Sequence, residues 1–152
     1  MKNKPGTHFG QKVVIDGYKK YKFVFNIEPV PQGRPRFSRW GTYDPPKSKE
    51  FKKTLSFLAR SQFKKEPISA PINISLVFYR RIQKNSSKRT RGLKNKGVIR
   101  PVVKGDLDNY IKGTLDALNG IVWVDDNRIV GIKAEKYYSD QPRIEAQIEV
   151  LK

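Results

Sequence analysis

The sequence predicts a single α+β domain in which one mixed or antiparallel sheet is flanked by two main helices. Three observations lead to this class: apolar residues that alternate as in strands, two stretches with apolar residues at helical spacing, and a length of 152 residues that suits one core. Residues 1–10 are expected to form a flexible N-terminal tail, and residues 11–152 the folded domain.

Alternation of apolar and polar residues predicts most of the strands. The Asp16-Gly17 dipeptide makes the first two runs a hairpin, and residues 139–142 form a turn between the last two. A short apolar run after the second helix predicts a buried strand. The predicted strands cover residues 13–15, 21–27, 72–78, 121–124, 129–137 and 143–150.

Helical spacing of apolar residues predicts one helix that begins at Lys47 or Ser48 and a second that ends at Asn119-Gly120. The apolar stripe of the second helix consists of Leu107, Ile111, Leu115 and Leu118. From residue 83 to 104 the chain is polar, basic and Gly-containing, so a long loop that is mobile without a ligand is expected there.

The charge of the chain indicates a polyanionic partner. It contains 32 Lys and Arg residues against 14 Asp and Glu residues, for a formal net charge of +18. DNA or RNA is the expected ligand. A membrane partner is not expected, because the chain shows no basic amphipathic helix, no lipidation signal and no apolar run near 18 residues in length. A cytoplasmic protein is predicted.

Acidic residues concentrate in one short segment of this basic chain. Five of the 14 fall in the 21 positions from 106 to 126, namely Asp106, Asp108, Asp116, Asp125 and Asp126. Clustered carboxylates repel one another unless a cation joins them. With no cysteine and one histidine in the chain, oxygen ligands remain, and these suit Mg²⁺ or Mn²⁺.

The spacing of this segment suggests how a metal site forms. Asp108 is suited to cap the helix, and Lys112 lies one turn later, where it pairs with the scissile phosphate. Asp125 and Asp126 end the short strand. If that strand lies beside the chain leading to Asp106, both acidic pairs meet at one corner of the sheet. The metal then activates water.

Each feature also has a purely structural interpretation. Asp108 as a helix cap contributes about 1 kcal/mol, and an exposed Asp108–Lys112 pair about 0.2–0.5 kcal/mol. The segment from Asp125 forms a polar turn in that interpretation, and Asp116, on the flank of the helix, is expected to be structural. Together these interpretations leave the clustering of acids in a basic chain unexplained, so a metal site is favoured.

The segment resembles the signature of the RusA family, the Holliday junction resolvases of bacteria and their phages. The matching motifs are Asp106-x-Asp108-Asn109-x-x-Lys112, then Asp116-Ala117-Leu118-Asn119-Gly120, then Trp123-Val124-Asp125-Asp126. Weaker similarity extends over residues 20–150. The basic segment between Phe78 and Asp106 is longer than in compact members of the family.

The resemblance implies a homodimeric, Mg²⁺-dependent endonuclease that cuts four-way DNA junctions by paired nicks, of bacterial or phage origin. By position, Asp106, Asp108 and Asp126 match the family's metal-binding acids, and Lys112 matches its catalytic lysine. Asp125 matches an acid beside them.

Two basic stretches are candidate DNA contacts. One lies between the second long strand and the acids, and the other on the Pro-rich loop after the first hairpin, where Phe37 and Trp40 are interleaved with arginines. These aromatics either cover the core or pack against unstacked bases. The candidate DNA-binding residues are Arg34, Arg36, Arg80, Arg81, Lys88, Arg89 and Arg91.

Two alternatives to a junction resolvase remain. One is a non-catalytic basic nucleic-acid-binding protein, which the acidic cluster disfavours because carboxylates repel phosphates. The other is a nuclease specific for flaps or replication forks, which sequence does not distinguish from a junction nuclease.

Overall fold

The computed structural model describes residues 11–15, through their backbone, and residues 18–152. The predicted tail and the Asp16-Gly17 turn lie outside the described residues. The elements in chain order are β1 (Gln11–Ile15), β2 (Tyr18–Phe25), β3 (Arg36–Ser38), β4 (Gly41–Tyr43), α1 (Pro46–Gln62), β5 (Ile72–Arg81), α2 (Lys88–Asn95), α3 (Leu107–Leu118), a 3₁₀ turn (Asp126–Arg128), β6 (Ile129–Ser139) and β7 (Arg143–Val150).

The main sheet has five strands in the order β1-β2-β7-β5-β6, so the predicted α+β class with a mixed sheet is confirmed. β5 and β6 are parallel, and the other neighbours are antiparallel. β6 and β7 follow each other across a short turn, as predicted, but β5 lies between them. β5 is an interior strand that pairs with β7 on one side and β6 on the other, and its apolar residues alternate as burial of one face requires.

One face of the sheet carries the core. β5 directs Ile72, Ile74, Leu76 and Phe78 to this face, and β2 and β7 add Phe23, Phe25, Ile144 and Ile148. α1 covers it with Phe51, Leu55 and Ala59, all buried. Burying a large apolar side chain contributes about 1.5–3 kcal/mol each, so this face holds the helices in place.

Of the apolar stripe that the sequence suggested, α3 fully buries only Leu118. Its buried residues are Tyr110, Gly113, Thr114, Ala117 and Leu118. Leu107, Ile111 and Leu115 are only half-buried at the edge of the core. The physical reason is close approach, because small residues let α3 lie against α1 and the chain near Val30.

The basic segment before α3 is not simply a loop, because in the described part of the chain it contains a short helix, α2, in addition to the two main helices. α2 begins after Ser87, whose side chain accepts a hydrogen bond from the Thr90 backbone N–H. Asp140 binds both Arg91 and Asn95, which ties α2 to the turn after β6. The sequence pattern misses α2 because polar contacts rather than an apolar stripe hold it in place.

The apolar run at residues 121–124 is not a strand. Trp123 is wholly buried and makes only isolated bridges, to Ile68 and Asn119. The Ile68 backbone N–H donates to the Val122 carbonyl at 2.9 Å, and its carbonyl accepts from Val124 at 3.0 Å. The segment is therefore an irregular plug, buried at Val122 and Trp123, beside the C-terminal end of α3.

In the part of the chain that the structure describes, no helix is long and apolar enough to cross a membrane.

Candidate active site and nucleic-acid interface

Two of the predicted site residues stand at the head of α3. Asp106, not Asp108, is the N-cap residue, with extended backbone angles, and its side chain makes no capping hydrogen bond. The Asp108 carboxylate accepts a hydrogen bond from the Asn109 backbone N–H at 3.0 Å. Both acids are exposed, and the positive end of the helix dipole stabilises negative charge at this position. They form one pair of carboxylates at the protein surface.

The backbone that presents this pair is fastened by two cations. Arg80 donates to the Lys104 carbonyl at 2.8 Å and to the Tyr110 hydroxyl at 3.1 Å. Lys136 donates to the Gly105 carbonyl at 3.2 Å. Arg80 was a predicted DNA contact, whereas Lys136 and Tyr110 were missed, because only the fold brings β6 and the α3 core face to this point. The two acids therefore follow an ordered backbone segment that two positively charged side chains hold in place.

Gly105 completes this arrangement. Its φ of +122° lies in a region that glycine adopts without penalty. A Cβ atom there would meet the Tyr110 hydroxyl oxygen at 2.8 Å, which is closer than real contacts allow. Since Tyr110 is buried and held by Arg80, neither group can easily yield.

Lys112 lies one turn after Asp108, as predicted, and its side chain is 66% exposed. Its ammonium group is 3.9 Å from Asp116, which Lys52 also contacts at 3.2 Å. Lys52 in turn binds Asp44 at 3.0 Å. Asp116 therefore has structural partners, in line with the expectation for it. The cluster lines a groove between the Pro-rich loop and α3.

Contacts made by Lys52 in this groove shift the pKa of Asp44 and of Lys52 itself. The hydrogen bond from Lys52 lowers the pKa of Asp44 below its ordinary value. Burial acts to lower the pKa of Lys52, but its hydrogen bonds with Asp44 and Asp116 outweigh burial and raise the pKa. At neutral pH both groups are charged, so the groove retains a fixed ion-pair network.

The second acidic pair lies elsewhere. The Asp126 carboxylate accepts a hydrogen bond from the buried Trp123 indole N–H at 2.8 Å, and Asp125 is exposed beside it. Both follow the plug of residues 121–124 at the C-terminal end of α3. α3 has 12 residues and a length of about 18 Å. The expectation that both acidic pairs meet at one corner of the sheet is therefore wrong within one chain.

The reason is the direction of α3. Its head contacts Arg80 at the end of β5, and its tail lies beside Ile68, just before β5 begins. The run at 121–124 pairs with Ile68 rather than with the chain that leads to Asp106. In the described part of the chain, no group of three or more acidic or histidine side chains is placed to hold a metal ion.

The donor set at the head of α3 nevertheless fits a hard divalent cation. Mg²⁺ often takes one or two carboxylates and completes its shell with water and phosphate oxygens. Asp106 and Asp108 offer such a pair, and no capping hydrogen bond occupies the Asp106 carboxylate. Asp126 does not join them from the same chain.

Comparison with known proteins identifies the family of this chain. The family model described as "Endodeoxyribonuclease RusA" matches residues 26–149, a range that contains both acidic pairs and Lys112. The chain belongs to the RusA endodeoxyribonuclease family. It is also 41% identical over 133 residues to the Bacillus subtilis (strain 168) protein "Uncharacterized protein YqaN", a match that covers 84% of this chain and 94% of that relative.

Membership in the RusA family implies endodeoxyribonuclease activity of the Holliday-junction-resolvase type, on branched DNA. Resolvases of this family are generally dependent on a divalent metal. The resemblance noted from the acidic motifs is thereby confirmed.

The predicted DNA contacts of this RusA-family chain fall into two groups. Some are engaged within the protein: Arg80 binds the chain before α3, Arg81 binds Glu28 at 3.3 Å, and Arg91 binds Asp140. Others are exposed and project outward, namely Arg34, Arg36, Lys88 and Arg89. The side chains of the second group are open to solvent.

Replacing Gly105 with alanine should destabilise the protein and disturb the head of α3. The positive φ and the clash with Tyr110 predict a loss of about 1–3 kcal/mol in the free energy of unfolding, measured by urea denaturation. Gly92→Ala is the matched control, because a Cβ atom there meets nothing within 4 Å and α2 favours alanine. Equal stability of the two variants would contradict the role assigned to Gly105.

Proposed function

We propose that this RusA-family protein is an Mg²⁺-dependent endonuclease that resolves four-way DNA junctions by paired symmetric nicks, in DNA recombination and repair. Mn²⁺ is an alternative cation. The observation that carries the proposal is the exposed Asp106–Asp108 pair, fastened among Arg80, Lys104 and Lys136 on a chain with a net charge of +18.

This pair disfavours a purely binding role. A protein that only binds DNA loses affinity by placing two carboxylates where phosphates must approach. A nuclease gains from them, since a divalent metal held by carboxylates activates water and offsets charge in the transition state. Specificity for flaps or forks remains the alternative within nucleases, and substrate assays separate the two.

Each residue near the head of α3 has a proposed role. Asp106 and Asp108 hold the cation. Lys112, exposed and one turn away, binds the scissile phosphate and offsets the charge that develops on it. Asp116 and Lys52 position Lys112 through their ion pairs. Asp126, and Asp125 beside it, belong to the metal site by their match to the family motif.

We further propose that the working unit is a two-fold dimer that completes each site across its interface. A two-fold axis that is perpendicular to α3 and passes near its middle brings the head of α3 in one subunit beside the tail of α3 in its partner. The Asp106–Asp108 pair then faces Asp126 of the partner subunit. Such an axis also gives two equivalent sites, as paired nicks in a near-symmetric junction require.

The surface along α3 and the open edge of the sheet suits this arrangement. β6 is an edge strand, and Val130 and Ile132 on it are exposed, as is Val124 just before it. The half-buried Ile111 and Leu115 lie on α3. Exposed apolar side chains at an unpaired edge favour association with another copy.

Outward-facing cations supply the sequence-independent part of DNA binding. Arg34 and Arg36 stand on the Pro-rich loop, and Lys88 and Arg89 on α2. Arg80 adds positive charge near the head of α3, whereas Arg81 contributes less because Glu28 pairs with it. Arg91 contributes less, because Asp140 already neutralises it.

Catalysis should require the carboxylates at the head of α3. Asp106→Asn or Asp108→Asn should abolish cutting of a four-way junction in Mg²⁺, and excess chelator should do the same to the wild type. Glu66→Gln is the control, an exposed acid beyond α1. In chelator, Asp108→Asn should bind the junction at least as tightly as wild type, since a repulsive charge is gone.

The same assay tests substrate choice with flap and linear duplex DNA of equal length. Faster cutting of the four-way junction supports resolution. Equal or faster cutting of flaps would replace this proposal with the flap nuclease, and full activity of either Asp variant would contradict the metal site.

Salt dependence should reveal the phosphate contacts of α2. Lys88→Gln combined with Arg89→Gln should reduce the slope of log K against log [salt] by about two, if each residue contacts one phosphate. The matched control is Lys64→Gln combined with Lys65→Gln. These lysines follow α1 near β2, toward one edge of the sheet, whereas α2 contacts β6 at the other edge. Equal slopes for both variants would remove α2 from the DNA interface.

Complementation between inactive variants tests the shared site. Mixed dimers of Asp106→Asn and Asp126→Asn subunits contain one fully wild-type site if the acids combine across the interface. They should nick a junction on a supercoiled plasmid once, whereas each variant alone should be inactive. No nicking by the mixed dimers would place all the acids of a site in one subunit, and an active Asp126→Asn dimer would remove Asp126 from the site.

A further inference from the structure

The small β3–β4 hairpin is an ordered element that stands outside the core. Its register pairs Arg36 with Tyr43, Phe37 with Thr42 and Ser38 with Gly41. The Ser38 hydroxyl accepts a hydrogen bond from the Trp40 backbone N–H and donates to the Gly41 carbonyl, both at 3.2 Å. Gly41, with φ of +121°, closes the two-residue turn. Local polar contacts, not burial, hold this hairpin.

Large aromatic side chains on the hairpin face solvent. Phe37 is 84% exposed and Trp40 is 85% exposed. Neither covers the core, so one of the two interpretations drawn from sequence is excluded. The Arg39 guanidinium lies 4.7 Å from the centre of the Trp40 ring. An exposed aromatic ring beside a guanidinium group offers a stacking surface and a positive charge, which suit a base and its phosphate.

The base of the hairpin is fastened to the rest of the protein. Asp44 accepts hydrogen bonds from Gln32 at 3.1 Å and from Lys52 at 3.0 Å. The Gly33 backbone N–H donates to the Ser48 hydroxyl, and the Gln32 backbone N–H to the Asn109 carbonyl in the first turn of α3. The exposed tip therefore has a defined position relative to the head of α3 and the groove of Lys112.

We propose that this hairpin binds unpaired DNA bases at a branch point, with Trp40 and Phe37 stacked on the bases and Arg34, Arg36 and Arg39 on the flanking phosphates. The inference rests on the proposed action on branched DNA and names the part that recognises the branch. Unstacked bases are available at branches and absent from continuous duplex. Each base–aromatic stack contributes about 1–3 kcal/mol without sequence preference.

Charge selects nucleic acid over a second protein copy as the occupant. Residues 34–43 contain three arginines and no acid. Another copy of a chain with a net charge of +18 is repelled by such a surface. A nucleic acid strand presents a phosphate beside every base, which matches the interleaving of arginine and aromatic residues.

Tryptophan fluorescence tests this directly, because the chain has two tryptophans and Trp123 is wholly buried. In chelator, where no cutting occurs, a four-way junction should protect Trp40 of the wild-type protein from acrylamide quenching. A blunt duplex at the same salt should protect it much less. Equal protection by both DNAs would overturn the proposal.

Binding by variants completes the test. Trp40→Ala and Phe37→Ala should each weaken junction binding about 5- to 150-fold, the range that one stacked base implies, with little effect on duplex binding. Phe57→Ala on α1, 69% exposed and outside the hairpin, is the control and should bind as wild type. Unchanged junction affinity of both hairpin variants would refute the inference.

Two further outcomes distinguish the hypotheses. A change in sedimentation of Trp40→Ala from dimer to monomer would assign the hairpin to an interface between copies and overturn base binding. Protection of Trp40 by a junction that the protein fails to cut in Mg²⁺ would support the hairpin and contradict the proposed nuclease. Urea unfolding of each variant verifies that the fold is retained.

Discussion

The close packing of α3 against α1 and the chain near Val30 is the constraint on which the rest of the structure depends. A Cβ atom on Gly113 would lie 3.5 Å from the Val30 carbonyl oxygen and 3.7 Å from the Phe51 ring, which are ordinary van der Waals contacts, so only a glycine or an alanine at this position lets the helix pack so closely. This contact fixes the direction of α3 across the strands. Its head therefore meets the end of β5 and its tail the beginning, which separates the two acidic pairs by the length of the helix.

Some basic residues stabilise the fold by donating hydrogen bonds to backbone carbonyl groups. Because a carbonyl group is neutral, these residues keep their net positive charge. Arg80 and Lys136 donate to the Lys104 and Gly105 carbonyls, so they order the chain before α3 and still leave two positive charges uncompensated. Arg91, by contrast, is neutralised by Asp140. The head of α3 thus combines a fixed backbone with a positive potential, and these conditions let a phosphate approach carboxylates.

The sequence predicts an element correctly where burial of one face imposes a regular spacing of apolar residues, and incorrectly where no such spacing exists. The strand at 72–78 was correct because one face of β5 is buried and the other is not. α2 was missed because Ser87 and Asp140 order it through polar contacts. The run at 121–124 was interpreted as a strand because a buried irregular plug and a buried strand have the same composition. The split of the acids depends on the direction of α3, which no local pattern encodes.

Ion pairs connect the base of the β3–β4 hairpin to the groove of Lys112, and this connection affects how a branch in the DNA is recognised. Lys52 binds both Asp44 at the hairpin base and Asp116 beside Lys112. Its charge is secure at neutral pH, since those contacts raise its pKa. A base stacked on the hairpin would therefore set the position of its strand relative to Lys112 without a conformational change. Preorganisation of this kind reduces the entropy lost on binding, so recognition of the branch and placement of the phosphate are two consequences of the same ion pairs.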